Sequence, residues 1–308
     1  MLAQVGYMLS AGLYDAYLPD LVTPHQVGKL SGWGWGLGYL GGLACFVLTL
    51  SLTRPGLEPE HLPLFRLTFW VVAGFYLVVA LPALLWLPRA SPQPLTWPQT
   101  RRLIRQAYGQ VFTTLRHWRQ HASLFQFLAG YYLLSDAIVT LNAFIAIYLS
   151  TVFGLGVGQI LQLSVLFNLV SVVSTIGWGS VSDRTSPHRL LQSLLGLWVA
   201  VILVMAFSTH PQTPILIALL TGLVFGPTQS LCRGWFAKLV PPAQAGELFG
   251  FHALVSRVSA IFGPLLFGSI SSSTGNQRLA VLSLLLFVAG GSWILWRVAR
   301  AGESRLRS

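Results

Sequence analysis

Residues 17–32 read Tyr17-Leu-Pro-Asp-Leu-Val-Thr-Pro-His-Gln-Val-Gly-Lys-Leu-Ser-Gly32, and a related segment, Trp235-Phe-Ala-Lys-Leu-Val-Pro-Pro-Ala-Gln-Ala-Gly-Glu-Leu-Phe-Gly250, begins 218 positions later. The first-copy residues that match at this spacing are Leu21, Val22, Pro24, Gln26, Gly28, Leu30 and Gly32. Their mates are Leu239, Val240, Pro242, Gln244, Gly246, Leu248 and Gly250. Each copy is a short polar hinge between two long apolar runs. A parallel internal repeat in an apolar chain is typical of membrane proteins built from two homologous halves.

The composition places the chain in a membrane. Hydrophobic residues make up 54% of the 308 residues and charged residues only 9%, whereas about a quarter of the residues in a soluble domain are charged. The two cysteines, Cys45 and Cys232, fit neither a disulfide framework nor a metal site. No phosphate-binding loop is visible, which argues against direct use of ATP. We therefore expect no metal and no cofactor.

The apolar runs predict an all-α fold. A helix that spans a membrane needs about 20 mostly apolar residues, and nine segments qualify as predicted helices. They are 1–18, 32–53, 66–88, 122–150, 158–180, 189–208, 213–236, 246–270 and 278–298.

Basic residues give the predicted helices an orientation. Fifteen Lys and Arg side chains fall on one side of the predicted stack, and only Arg54, Arg66 and Arg278 fall on the other. This bias predicts that the C-terminus and the 89–121 loop are cytoplasmic in a multi-pass protein of the plasma or inner membrane. It also explains the net charge of +11 without a nucleic-acid partner. The basic part of the loop is either a linker or a segment that lies on anionic lipid.

The repeat also predicts the domain organisation. Residues 1–88 would be a partial N-terminal half of three helices, 89–121 a cytoplasmic basic linker, 122–298 a complete six-helix C-terminal half and 299–308 a cytoplasmic tail. Relative to a plan of two six-helix halves, three N-terminal spans would be missing. A start codon assigned too late in the gene would produce this pattern, and so would a truncated fragment or an assembly partner.

Glycines recur every fourth residue in the predicted helix 32–53. Gly34, Gly38 and Gly42 would form a bare stripe on one helical face, which allows close helix packing and sliding. The sequence therefore predicts a helix contact on this face.

The loop Gly179-Ser-Val-Ser-Asp-Arg-Thr-Ser-Pro-His-Arg189 resembles the signature loop of the major facilitator superfamily, although Ser-Pro stands where a later glycine is usual. The resemblance implies a cytoplasmic gate, in which Asp183 supplies the carboxylate and Arg184 and Arg189 are its basic partners. The alternative is an ordinary charged turn that obeys the orientation rule.

Two ionisable residues lie deep in predicted helices. Asp136 would be roughly 21 Å and Arg257 roughly 16 Å from the cytoplasmic starts of their helices. Such residues are costly in a bilayer and usually face the bundle interior, where they pair or meet water. We therefore expect an ion pair between them, either structural or involved in substrate binding or proton coupling.

Other polar residues in the spans are candidates to line a cavity. Asn142 and Gln229, with Asn168, could contact a substrate or form hydrogen bonds between helices. Asp15 lies near a helix end and is expected to reach the membrane interface rather than a substrate.

Three segments carry a closer resemblance: Tyr17-Leu-Pro-Asp20, Val27 to Gly42 and Gly226 to Gly268. They look like the vacuole-effluxer branch of the major facilitator superfamily, which comprises fungal autophagy-linked amino-acid effluxers and bacterial relatives. The likeness covers the whole chain, aligned to the fourth through twelfth spans of a twelve-span family. It implies a major facilitator-type bundle and efflux of an amino-acid-like solute.

These observations predict a secondary transporter that moves a small solute by alternating access. The alternative from a different class is a non-transporting or truncated membrane fragment that serves as an assembly partner. We do not expect an enzyme, because the seven histidines and eight acidic residues do not converge on one depth of the membrane.

Overall fold

The computed structural model describes residues 2–23, 25–53, 59–86, 118–241 and 244–307, with isolated positions between 97 and 116. Every regular element in these ranges is helical, as a bilayer requires, because backbone groups find no water there. The helices are α1 (Leu2–Ala16), α2 (Leu18–Leu21), α3 (Val27–Thr53), α4 (Leu62–Trp86), α5 (Ala122–Phe153), α6 (Val157–Ser182), α7 (Pro187–Phe207), α8 (Thr213–Leu239), α9 (Ala245–Val258), α10 (Phe262–Thr274) and α11 (Gln277–Arg307).

The all-α membrane fold expected from the sequence is confirmed. Within the described residues, eight segments are long and apolar enough to cross a bilayer. The helix predicted at 1–18 is present as α1, which is only 15 residues long, followed by the short α2. Most of the predicted 89–121 linker lies outside the described residues.

One predicted helix, 246–270, is in fact two helices. The chain leaves α9 at Val258 and enters α10 at Phe262. Pro264 contributes to the break because it has no backbone N–H to donate to the preceding turn. The apolar run is continuous through the break, so hydrophobicity alone could not show it.

The chain forms two compact units. Residues 1–37 and 117–308 make the first unit, and residues 38–116 make the second. In the first unit, α5 packs against α9, α10 and α11, while α8 packs against α6 and α7. Its core includes Phe127, Leu134, Trp198, Ile217 and Phe236, each with at most 1% of its surface exposed. The second unit contains the rest of α3 together with α4.

Glycines bring α3 and α6 into backbone contact in the first unit. A Cβ built on Gly32 would lie 2.8 Å from Gly179 Cα and 2.8 Å from the Thr175 carbonyl oxygen. A Cβ on Gly28 would overlap Ser182 Oγ. Only glycine allows this approach, since real side-chain atoms do not come so close to backbone atoms.

The predicted stripe of Gly34, Gly38 and Gly42 lies on another face of α3 than Gly28 and Gly32, and it stays a prediction. Gly34 faces Arg233, because its Cβ would lie 3.1 Å from Arg233 Nη2. Beside Gly38 and Gly42, no atom among the described residues lies within 4 Å of a built Cβ. The stripe that packs is Gly28 and Gly32 against Gly179.

A test compares two alanine substitutions on α3. We expect Gly32→Ala to lower the free energy of unfolding by about 1–3 kcal/mol, because the added methyl group overpacks the backbone contact. Gly38→Ala is the control, and it should leave stability unchanged or slightly higher, since alanine is the better helix former. Thermal unfolding of the detergent-solubilised protein, followed by tryptophan fluorescence, measures both. Equal midpoints for the two variants would show that the contact does not form.

Candidate functional site

A buried arginine joins helices from both copies of the repeat. Arg233 on α8 has 6% of its side chain exposed, and its Nη1 lies 2.7 Å from Oδ1 of Asp15 on α1. Its Nε donates to Ser31 Oγ at 2.9 Å, and its Nη2 donates to the Ser31 carbonyl oxygen at 2.9 Å. The guanidinium therefore uses most of its N–H groups to donate hydrogen bonds to α1 and to α3.

Two serines extend this contact. Ser31 Oγ donates to the Ser230 carbonyl oxygen at 2.8 Å, and the two hydroxyl oxygens are 3.2 Å apart. We call Asp15, Ser31, Ser230 and Arg233 the Arg233 network. Its low exposure makes each bond stronger than a surface bond, and makes any unpaired member costly.

Asp15 and Arg233 occupy equivalent positions of the repeat. They are 218 residues apart, which is also the spacing between Tyr17 and Trp235. The ion pair therefore joins matching positions of the two copies of the repeat.

The Asp183 carboxylate caps the N-terminus of α3. Asp183 accepts hydrogen bonds from the backbone N–H of Gly28 at 2.9 Å and of Lys29 at 2.7 Å. These N–H groups belong to the first turn of α3, where a helix lacks internal acceptors and favours a negative charge. The cation near Asp183 is Lys238, whose Nζ lies 3.6 Å from Oδ1.

The loop residues predicted from the sequence thus take partly different roles. Gly179 packs against Gly32, and Asp183 caps α3. Neither Arg184 nor Arg189 forms an ion pair with Asp183 in the described part of the chain, and both side chains are exposed. We call the end of the first unit that carries the exposed side chains of Lys29, Arg184, Arg189 and Lys238 the basic end.

A cavity lies farther from the basic end. It has a volume of about 290 Å³ and lies between α5, α6 and α8, lined by Asn142, Asn168, Ser164 and Thr221 among apolar residues. Its nearest α8 residue, Phe225, is about 12 Å along the helix from Arg233. The Asn168 amide donates to the Ser164 carbonyl oxygen at 2.8 Å. The lining contains no Asp, Glu, Lys, Arg or His.

Gln229 lies in a separate, aromatic cluster. It accepts a hydrogen bond from the Tyr131 hydroxyl at 2.8 Å. The ring of His252 stacks on Tyr131, with 4.4 Å between ring centroids, and on Phe236 at 4.9 Å. On α8, Gln229 lies one helical turn before Arg233 and outside the cavity lining. Asn142 and Gln229 therefore do not share one site.

The expected pair between Asp136 and Arg257 does not form. Asp136 is fully buried, and its Oδ2 accepts a hydrogen bond from the Gly263 N–H at 2.9 Å. The Arg257 guanidinium instead lies 5.4 Å from the centroid of the Tyr7 ring. Both residues belong to the helices predicted for them, but their side chains point to different neighbours.

The sequence reasoning missed the Arg233 network. Asp15 was expected at the membrane interface, and Arg233 was counted only toward the orientation. The signal was present, because extending the repeat two residues toward the N-terminus aligns Asp15 with Arg233. Opposite charges at matching positions of a repeat are therefore a signal from which this pair could have been proposed.

Comparison with known proteins extends over nearly the whole chain. A family model described as "Vacuole effluxer Atg22 like" matches residues 1–305. The chain is 27% identical over 296 residues to the uncharacterized MFS-type transporter YxiO of Bacillus subtilis, covering 93% of this chain and 67% of that protein. It is 27% identical over 285 residues to autophagy-related protein 22-1 of Penicillium rubens, covering 84% of this chain. The chain spans 47% of that fungal relative and 39% of autophagy-related protein 22 of Neurospora crassa, to which it is 24% identical.

A solved structure shares the fold. A bacterial homologue of the iron transporter ferroportin in an outward-facing state superimposes with a TM-score of 0.61 at 17% sequence identity. The match covers 92% of this chain and 66% of that one. This likeness concerns the arrangement of helices.

The Arg233 network can be tested by removing one cation at a time. We expect Arg233→Ala to lower the free energy of unfolding by about 3 kcal/mol, because it leaves the Asp15 carboxylate without its partner. The control is Lys238→Ala, which removes a cation with 25% of its side chain exposed and should cost at most about 1 kcal/mol.

Unfolding in mixed micelles with increasing SDS measures both variants. Asp15→Asn alone and in combination with Arg233→Ala supplies the coupling energy, because two residues in direct contact give non-additive losses. Additive losses in the double variant would contradict a direct Asp15–Arg233 interaction.

Proposed function

Because the chain belongs to the vacuole effluxer Atg22-like family, a branch of the major facilitator superfamily, we propose that it moves a small solute across a membrane by alternating access. The relatives named as an MFS-type transporter and the outward-facing structural neighbour support transport rather than enzymatic chemistry. The resemblance favours an amino-acid-like solute moved outward.

The observation that carries this proposal is the Arg233 network. It ties α1 and α3 of one repeat to α8 of the other at one level of the molecule, and Asp183 ties α3 to the loop after α6 beside it. A cavity lies about 12 Å farther along α8. A barrier on one side of a cavity is what an alternating-access transporter needs in one of its two states.

In the proposed mechanism the basic end is the closed gate. To open it, Arg233 must exchange Asp15 and Ser31 for water, and Asp183 must leave the first turn of α3. Gly28, Gly32 and Gly179 keep the two backbones close while the gate is shut. Opening therefore replaces buried hydrogen bonds with hydrated groups, which leaves the two states close in free energy.

We propose that the basic end faces the cytoplasm of a bacterial or fungal cell, with the C-terminus on the same side. The positive-inside bias supports this orientation, and the exposed Lys29, Arg184, Arg189 and Lys238 cluster there. The membrane would be the plasma or inner membrane. The state in the structure would then be open toward the outside.

The predicted domain organisation belongs to the same proposal. Residues 1–88 and 122–298 would be the partial and complete halves that rock against each other, joined by the 89–121 linker and followed by the 299–308 tail. Asp15 and Ser31 lie in the first half and Ser230 and Arg233 in the second, so the Arg233 network would be broken and re-formed by this motion.

The cavity suggests how a solute is held. Asn142 and Asn168 present carboxamides, which donate and accept hydrogen bonds, and the other lining groups are mostly apolar. A lining without ionisable side chains favours a solute with no net charge, such as a zwitterion with an apolar side chain. Asp136 and Arg257 lie outside this lining. Asp136, which the sequence suggested for proton coupling, is the candidate coupling residue.

The gate can be tested with a reversible cross-link. In a background carrying Cys45→Ser and Cys232→Ala, we combine Ser31→Cys with Ser230→Cys. The two native hydroxyl oxygens are 3.2 Å apart, so the replacement sulfurs can reach the bond length of about 2.05 Å with a small rotation. We expect oxidation to stop efflux of a mixture of ¹⁴C-labelled amino acids from proteoliposomes, and reduction to restore it.

The two single-cysteine variants are the matched controls, and oxidant should not affect their transport. Full transport by the oxidised double variant would refute the gate. If the unmodified protein moves none of the amino acids faster than empty liposomes do, the proposed solute class is wrong and the non-transporting alternative is favoured.

A further inference from the structure

Three buried oxygens near the α9–α10 break have no hydrogen-bond partner among the described residues. They are Asp136 Oδ1, Ser135 Oγ and Thr140 Oγ1. All three residues lie on α5 with 0% of their surface exposed. Unsatisfied polar atoms are rare in protein interiors, so a group of three in less than two helical turns requires a physical explanation.

Two of these oxygens point to the start of α10. Asp136 uses Oδ2 to accept the Gly263 N–H. A Cβ built on Gly263 would overlap Thr140 Oγ1 and would lie 2.8 Å from Asp136 Oδ1. Both oxygens therefore lie against Gly263, and only a residue without a side chain lets the start of α10 approach α5 this closely.

The helix break adds acceptors at the same level. In a continuous helix the carbonyl oxygens of Ser259 and Ala260 would accept from residues 263 and 264. The Gly263 N–H is instead given to Asp136, and Pro264 has none. No other hydrogen bond to either carbonyl is found within the described residues. The break therefore leaves these two carbonyl oxygens without a helical partner.

The charge at this place is not balanced by the protein. A carboxylate buried in a membrane protein is costly unless a cation compensates it. Arg257 does not reach Asp136, and the described chain shows no other ion pair to this carboxylate. A carboxylate oxygen beside a hydroxyl oxygen is the kind of ligand set that hard cations prefer. A single carboxylate balances a single positive charge.

We propose that Asp136 and Thr140, at the break between α9 and α10, form a binding site for a monovalent alkali cation of the size of Na⁺. The cation sits against Asp136 Oδ1 and Thr140 Oγ1, while Oδ2 continues to cap α10. The assignment of Na⁺ as coupling ion rests on the proposed transport function, whereas binding itself does not.

The site would link ion binding to helix geometry. Asp136 holds the N-terminus of α10 from α5, so a cation that neutralises Asp136 weakens the attraction between the carboxylate and the helix N-terminus. Loss of the cation would restore the full charge on the cap. The broken helix is therefore the element whose position the ion can shift, as discontinuous helices do in other secondary transporters.

The test measures Na⁺ binding to the purified full chain in detergent. We expect the thermal unfolding midpoint to rise and saturate as NaCl replaces choline chloride at constant ionic strength, since a ligand that binds only the folded state stabilises it. Binding of ²²Na⁺ measured by scintillation proximity should give the same affinity. Thr140→Val keeps the side-chain shape and the Asp136 cap, and should weaken Na⁺ binding at least about tenfold, because one ligand oxygen is lost.

Thr151→Val is the matched control, because Thr151 also lies on α5 but bonds the Ile147 carbonyl oxygen away from the break. It should bind Na⁺ like the unmodified protein. Asp136→Asn should abolish binding, and Thr140→Val carries the test if that variant fails to fold.

Equal unfolding midpoints in Na⁺ and choline would overturn the proposal, as would unchanged affinity in Thr140→Val. A midpoint that responds to pH but not to Na⁺ would identify a proton site instead and would also overturn it. No solute is present in these measurements, so their failure would leave the transport proposal intact, and failure of transport would leave the cation site intact.

Discussion

The ion pair between Asp15 and Arg233 is the interaction on which the arrangement of the first unit depends. α1 also packs along α9, and the most buried polar contacts that α1 and the start of α3 make with α8 are those of Arg233. Attraction between the buried Arg233 and the partly buried Asp15 holds α1 and α8 at the length of one hydrogen bond. The bonds to Ser31 fix the rotation of α3 at the same time.

The glycine contact and the Asp183 cap depend on the position that Arg233 gives to α3. With Ser31 held against Arg233, Gly32 is brought onto Gly179, where only a residue without a side chain fits. One turn earlier, Gly28 presents its N–H to Asp183. Each contact would be weak alone, since a cap contributes about 1 kcal/mol and glycine packing depends on dispersion forces. Together they make separation of α3 from α6 cooperative, which is the property that a two-state gate needs.

The sequence predicted the helices well and their contacts poorly, for a physical reason. Burial in lipid requires long apolar runs, and these can be read in one dimension, so the helices from 122 to 298 were found nearly as they are. Contacts depend on which face of a helix turns inward, and nearly uniform hydrophobicity hides that face. The contact of Gly28 and Gly32 with Gly179 could therefore not be predicted from the glycine spacing alone. The bond from Gly263 to Asp136 at the α9–α10 break could not be predicted either, because it joins residues 127 positions apart.

The first unit has two buried polar regions, the Arg233 network and the oxygens around Asp136, and they are suited to different roles. In the Arg233 network and at the Asp183 cap the buried donors meet acceptors: Arg233 donates to Asp15 and Ser31, and the N–H groups of Gly28 and Lys29 donate to Asp183. A satisfied network of this kind favours one arrangement and resists change until water replaces it. Around Asp136 the opposite holds, because three buried oxygens lack donors. An unsatisfied cluster gains free energy when a cation arrives, whereas a satisfied one gains nothing. The basic end is therefore suited to stabilise one conformation, and the α9–α10 break is suited to respond to a ligand.

Helices α5 and α9 contact both regions. Besides Asp136, α5 carries Phe127 and Tyr131, whose rings pack on Trp235 and His252 beside Arg233. A shift of α5 at the break would be transmitted through this aromatic packing to the ion pair between Asp15 and Arg233.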